Sequence, residues 1–251
     1  MKEQKEYISV RLIKKIYICK NQQELSVLKN INFDIKKGEF ICIIGESGCG
    51  KSTLLRMMAG LDADYEGDIF IDGKQIRKPS RKRGFVFQEH RLFPWLTVAD
   101  NIKFVINDKD RIEKQQRVRR VIDIVGLSGF EDAYPKELSG GMAQRANIAR
   151  ALVNNPSILF LDEPFGALDA FTKMRLQNKL IEIREEEKST MVLVTHDIEE
   201  AVFLADRIIV LSNRPATIKD IVEVNIKCPR NRNNDDFIEF RKRLFHYFVK
   251  E

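Results

Sequence analysis

The segment Gly45-Glu46-Ser47-Gly48-Cys49-Gly50-Lys51-Ser52-Thr53 limits what this chain can become more than any other, because it matches GxxxxGK[ST] between an apolar run, Phe40 to Ile44, and a helical pattern, Lys51 to Ala59. Glycines let the backbone curl so that successive N–H groups point inward, and the helix N-terminus adds partial positive charge, so a polyphosphate is held mainly by main chain. Lys51 then supplies a point charge for the β and γ phosphates, Ser52 offers a hydroxyl to Mg²⁺, and Thr53 is placed to reach the α-phosphate. A second apolar run, Ile158-Leu159-Phe160-Leu161, ends in Asp162-Glu163. Neighbouring side chains on a strand face opposite ways, so the two carboxylates are suited to different tasks. Asp162 suits a water-mediated hold on Mg²⁺, and Glu163 the alignment and deprotonation of an attacking water.

Around these motifs, short apolar runs bounded by turn residues alternate with helical patterns, which is how buried strands of an α/β sheet read. Met191 to Thr195 and Ile208 to Leu211 are the other clear strands, and helices are expected at Leu176 to Glu187 and Ile198 to Ala205. Between Gln88 and Asn155 the strand signal gives way to charged helical patterns, notably Arg111 to Val125 and Ser139 to Val153. That block reads as a helical subdomain inserted into an α/β core. The expected organisation is a single domain, 1–251, with a catalytic core of 1–87 and 156–225, a helical subdomain of 88–155 and a C-terminal helical tail of 226–251. In the tail, Phe237, Phe240, Leu244 and Phe248 recur at helical spacing, and a helix covering the core is favoured over one lying on a membrane.

Composition narrows the function classes. The formal net charge is +6 in 251 residues, with the basic residues scattered, so a dedicated nucleic-acid binder is not indicated. Cys19, Cys42, Cys49 and Cys228 form no CxxC pair, which suggests neither a zinc site nor a disulfide scaffold and fits a reducing cytoplasm. No apolar run approaches the roughly 20 residues that a spanning helix needs, so work at a membrane would require docking onto a partner that spans it.

Leu138-Ser139-Gly140-Gly141-Met142-Ala143-Gln144-Arg145 resembles the signature motif of the ATP-binding-cassette family. The resemblance extends over nearly the whole chain and implies a P-loop cassette with a mixed sheet core and the inserted helical subdomain, binding ATP with Mg²⁺ and hydrolysing it. In the family the signature turn, here Ser139, Gly140 and Gly141, closes over the γ-phosphate held by another subunit, which implies a dimer, with a homodimer expected. Gln88 resembles the glutamine that reaches Mg²⁺ and the attacking water; Asp169, in Gly166-Ala167-Leu168-Asp169, the carboxylate of the loop that crosses the dimer interface; and His196 the switch histidine that contacts the γ-phosphate. The adenine-stacking aromatic is matched by Tyr17, with Tyr7 as competitor and packing as the alternative role for either.

Finer patterns resemble a subgroup. The stretch Phe87 to Val98, with Phe203 to Arg207, Asn213-Arg214-Pro215 and Cys228 to Arg232, looks like importers of nitrate, sulfonate, taurine and related small solutes. That implies an integral-membrane permease as partner, a solute-binding protein acting indirectly, no nucleic acid, and a peripheral position on the cytoplasmic face of the membrane. Leu92, Phe93 and Trp95 are the candidates for gripping the permease, with packing inside the helical subdomain as the alternative. A cassette serving lipid traffic or signalling stays open as the second reading.

Overall fold

The computed structural model describes residues 6–18, 23–107 and 110–248; Cys19 and Lys20 lie outside the described residues. In chain order the elements are β1 (Glu6–Ile18), β2 (Glu24–Lys36), β3 (Phe40–Ile44), α1 (Lys51–Ala59), β4 (Glu66–Ile71), β5 (Lys74–Gln75), β6 (Arg83–Val86), α2 (Val98–Lys103), α3 (Arg111–Ile124), a tight helical turn Pro135–Glu137, α4 (Gly140–Leu152), β7 (Ile158–Asp162), α5 (Ala170–Glu187), β8 (Thr190–Thr195), α6 (Ile198–Leu204), β9 (Arg207–Leu211), β10 (Ile218–Glu223) and α7 (Asp235–Phe245). They fall into two compact units, Met1–Ser80 with Thr190–Glu251, and Arg81–Ser189.

In the first unit β3 lies between β8 and β9, parallel to both, and β10 adds antiparallel to β9. The fold is thus α/β with a mixed sheet. All five residues of β3 and all six of β8 are buried, so neither strand alternates, as expected where both faces are covered. An antiparallel layer, β2-β1-β4-β5, belongs to the same unit.

Its long hairpin is the main feature that sequence reasoning missed, and β1 shows why. The inward-facing residues are Ile8 and Val10, then Ile13 and Lys15. A register shift between Val10 and Ile13, with Leu12 at φ 51°, changes the parity of the strand midway. A period-2 template holds on each side of the shift but fails across it.

Paired charges fasten the start of β3. Arg207 Nε lies 2.6 Å from Glu39 Oε1, and Glu39 Oε2 also accepts the Lys36 N–H at 2.7 Å. Phe40 N–H donates to the Asp206 carboxylate at 2.9 Å, and Gly38 N–H to Thr190 Oγ1 at 2.9 Å. The order of the strands is thereby pinned at the end opposite the glycine-rich loop.

The second unit pairs β6 with β7 in parallel and packs α4 against β6. Among the described residues no strand occurs between Gln88 and Asn155, in line with the change of pattern there. Helix α5 begins at Ala170, earlier than the stripe starting at Leu176 implies, because Asp169 caps it by accepting the Thr172 N–H at 3.0 Å. In the first unit, α7 buries Phe237 and Leu244 completely, so it covers the core. Among the described residues no helix is long and apolar enough to cross a membrane.

Because Glu39 is 8% exposed and bonded by both Arg207 and the Lys36 amide, Glu39→Ala is expected to lower the unfolding free energy by about 3 kcal/mol, read from urea denaturation of the purified subunit.

Candidate functional site

In the first unit the chain leaves β3 through Gly45 and wraps into α1. Gly48 and Gly50 take φ of 77° and 118°, a region that side chains with a Cβ rarely adopt. At Gly50 a Cβ would also stand 2.8 Å from Val27 Cγ1 and 2.9 Å from Leu28 Cδ2. Glu46, Ser47 and Gly48 are exposed at the crest, and Ser52 and Thr53 are half-buried on the first turn of α1. Lys51 is only 4% exposed; its ammonium donates to the Gly45 carbonyl at 2.8 Å and the Glu46 carbonyl at 3.0 Å. Cys49 is buried, and burial pushes its thiol pKa up, so it acts as packing within the loop.

His196 follows directly on β8 and is exposed, yet the residues on either side of it are fixed. Thr195 Oγ1 donates to the buried Glu200 carboxylate at 2.6 Å and accepts the Asp197 N–H at 3.0 Å. The Asp197 carboxylate caps α6 by accepting the Glu199 and Glu200 N–H groups. Tyr17 lies at the end of β1, with 40% of its surface exposed and the Lys15 ammonium 4.7 Å from its ring centroid. The rival Tyr7 sits at the other end of the same strand, beneath the Lys37 ammonium.

In the second unit β7 is buried along its length and ends at Asp162, which is 0% exposed. Glu163 follows in the left-handed region at φ 45°, a conformation that costs a residue with a Cβ about 1 kcal/mol or more. The kink turns its carboxylate toward Gln88, whose Nε2 lies 3.4 Å from Glu163 Oε2. The chain then reaches Asp169, whose carboxyl is held below its ordinary pKa by hydrogen bonds to Thr172.

Ser139 caps α4 rather than belonging to it, accepting the Met142 N–H at 3.2 Å. Gly141 is needed for a different reason from the loop glycines, since a Cβ there would come within 3.0 Å of the Ala167 carbonyl. The signature turn and the Gly166 to Asp169 loop are therefore packed backbone to backbone.

Three polar residues of this unit escaped sequence reasoning. Gln144 and Asn147, both buried on α4, each donate to the Phe87 carbonyl at 3.2 Å and so hold the residue before Gln88. Their spacing of three on a helix face was the available signal. Asn101, 0% exposed, accepts the Phe93 N–H and donates to the carbonyls of Phe93, Leu96 and Thr97, which staples the loop carrying Trp95. Trp95 is 70% exposed and does not pack inward; Phe93 lies 5.5 Å from it and 4.9 Å from Phe104, which is itself 66% exposed. Leu92 is half-buried beside them.

A glycine-rich strand-to-helix loop, an acidic strand end and a serine-glycine helix cap together define a class of nucleotide-hydrolysing cassettes. The family model described as ABC transporter matches residues 28–166, and the chain belongs to that family as an ATP-binding, ATP-hydrolysing cassette. Among its relatives is the aliphatic sulfonates import ATP-binding protein SsuB of Bacillus cereus, 53% identical over 93% of this chain and 93% of that one. The protein of the same name from Bacillus subtilis is 48% identical over 97% and 94% of the two chains. Among solved structures, the dimeric ATP-binding cassette MJ0796, in a post-hydrolysis state bound to ADP and Pi, superposes with a TM-score of 0.80 at 34% identity, covering 88% of this chain and all of that one.

Gly50→Ala combines a clash with an unfavourable φ, and is expected to lower stability by about 2 kcal/mol and to abolish ATP binding. Calorimetric titration with ATP, beside a thermal melt, checks both.

Proposed function

We propose that this chain is the ATPase subunit of an importer for aliphatic sulfonates or a related small solute such as nitrate or taurine. The observation that carries the reading is the similarity, along nearly the whole chain, to Bacillus subunits named for sulfonate import. Those names favour solute uptake over lipid traffic or signalling. In this reading two copies associate head to tail and dock peripherally on the cytoplasmic face of the membrane against an integral-membrane permease, which a solute-binding protein serves from the other side.

The reaction is in-line attack of water on the γ-phosphate, in which positioning and charge stabilisation do most of the work. Backbone N–H groups of Gly45 to Thr53 cradle the phosphates, Lys51 neutralises charge on the β and γ groups, and Tyr17 stacks on the adenine. For Lys51 this requires its ammonium to exchange the carbonyls of Gly45 and Glu46 for phosphate oxygens, a swap between acceptors that leaves no buried charge unmet at the end. Glu163 aligns the water and takes its proton, with Gln88 as hydrogen-bond partner, while His196 contacts the γ-phosphate. The turn of Ser139, Gly140 and Gly141 from a second copy completes the anion site, and Asp169 lies at the seam between the copies.

Mg²⁺, when bound, would offset charge on the phosphate oxygens, with Ser52, Gln88 and Asp162 as its protein ligands, Asp162 through water. These are oxygen donors with a single carboxylate. Among the described residues no group of three or more His, Cys, Asp or Glu could hold a metal unaided. The oxygen donors of Ser52, Gln88 and Asp162 would suit a hard cation.

The exposed ring cluster of Phe93, Trp95 and Phe104, braced by Asn101, is the surface offered to the permease, with Leu92 at its margin. Large aromatics at the centre of a contact patch commonly carry much of the binding energy.

Two substitutions test these roles, and a reconstitution tests the whole. Glu163→Gln should lower turnover by about 100-fold or more, equivalent to ~2.7 kcal/mol of barrier, while ATP affinity persists; near-normal hydrolysis would remove Glu163 from the role. Trp95→Ala should leave the ATPase activity of the isolated subunit within about 2-fold of normal yet loosen co-purification with the permease, whereas an unchanged complex would place the grip elsewhere. In the reconstituted transporter, an aliphatic sulfonate presented with its binding protein should stimulate ATP hydrolysis. Stimulation by a different solute class, or by none, would refute the assignment.

A further inference from the structure

Tyr17 has an ammonium against its ring that the nucleotide chemistry does not use. Lys15 precedes it by two residues on β1, so the two side chains share a face of the strand. Lys15 is 2% exposed, and its Nζ lies 4.7 Å from the ring centroid. The charge is kept there by two carboxylates, Asp62 Oδ2 and Asp64 Oδ2, each at 3.1 Å, and by the Asp64 carbonyl. Burial pulls the ammonium pKa down, but the bonds and charges of Asp62 and Asp64 more than offset this and leave it raised, so the group stays protonated throughout the neutral range.

The origin of the carboxylates links the two ends of a nucleotide. Helix α1 starts at Lys51 on the phosphate loop and ends at Gly60 in the left-handed conformation, with the Leu61 and Asp62 N–H groups returning to the Arg56 carbonyl. The turn that follows presents Asp62 and Asp64 to Lys15. The helix that opens at the phosphate loop is thus tied, through a buried ammonium and two carboxylates more exposed than it, to the aromatic proposed to meet the base.

We infer that Lys15, fixed by Asp62 and Asp64, is a positioning residue for nucleotide binding that holds one face of the Tyr17 ring and leaves the other to stack on the adenine. A cation on one face of an aromatic ring draws π-density toward itself, so the opposite face repels the π-cloud of a stacked base less. It also restricts the ring before the ligand arrives, which reduces the ordering that binding must impose. Forty per cent of Tyr17 remains exposed, as a ring with one free face requires.

The inference rests on Tyr17 being the stacking residue, and the test separates the two. Calorimetric titrations of the full-length subunit would compare Mg-ATP with Mg-tripolyphosphate, which has no base, for Tyr17→Ala, Lys15→Met and the double variant. The expected result is that Tyr17→Ala and Lys15→Met each weaken ATP binding by roughly 5-fold or more, that tripolyphosphate affinity is unchanged, and that Lys15→Met adds nothing once Tyr17 is alanine. If Tyr17→Ala leaves ATP affinity intact, the stacking reading falls and takes the inference with it. If Tyr17→Ala weakens ATP but Lys15→Met does not, stacking stands and the role of Lys15 is overturned. Equal loss toward ATP and tripolyphosphate, or additive losses in the double variant, would make Lys15 merely structural and overturn it as well. Should Lys15→Met fail to fold, Asp62→Asn keeps an oxygen for the Asp64 N–H while removing a charge, and must weaken ATP binding selectively for the inference to survive.

Discussion

A loop that turns its N–H groups inward to meet an anion must turn carbonyls elsewhere, and here the ammonium of Lys51 answers two of them, at Gly45 and Glu46. The arrangement is possible because β3 is buried on every side and held by parallel partners, so the loop is launched from a fixed point. It also explains how a charged side chain can be almost wholly enclosed, since two carbonyls of its own loop accept from the ammonium. The rest of the first unit can be read as support for that launch point, from the Arg207–Glu39 pair behind β3 to the antiparallel layer whose Val27 and Leu28 crowd Gly50.

Three of the side chains proposed for catalysis, His196, Gln88 and Glu163, share a pattern. Each is exposed or half-exposed, and each is adjacent to a residue that is held in place. Around His196, Thr195 and Asp197 are fixed by a buried carboxylate and a helix cap. Gln88 follows Phe87, whose carbonyl is gripped twice from α4. Glu163 is aimed by backbone strain that follows a fully buried strand. Placement is thus set by the neighbouring residues, which suits a reaction whose acceleration comes mainly from geometry and preset charge.

The local motifs were legible in the sequence because each is written in consecutive residues whose backbone needs are specific. Gly48 and Gly50 announce positive φ, Ser139 announces the start of a helix, and the apolar run before Asp162 announces a buried strand. What could not be read is what tertiary packing decides. The β1 hairpin was hidden by the parity change at Leu12, and the roles of Asn101, Gln144 and Asn147 depend on carbonyls that only the fold brings near. Lys15 looks like a surface lysine until α1 delivers Asp62 and Asp64 to it from 47 and 49 residues away. The early start of α5 was missed because its first turn carries exposed Phe171 instead of a buried stripe.

The absent methyl group at Gly141 lets the start of α4 lie against the Ala167 carbonyl, where a Cβ would stand 3.0 Å away. Two stretches that are remote in sequence are held at one close spacing for that reason. A side chain at 141 would have to push residues 166–169 aside, and with them the cap that Asp169 places on α5. The smallest residue thus sets how near these two loops can lie.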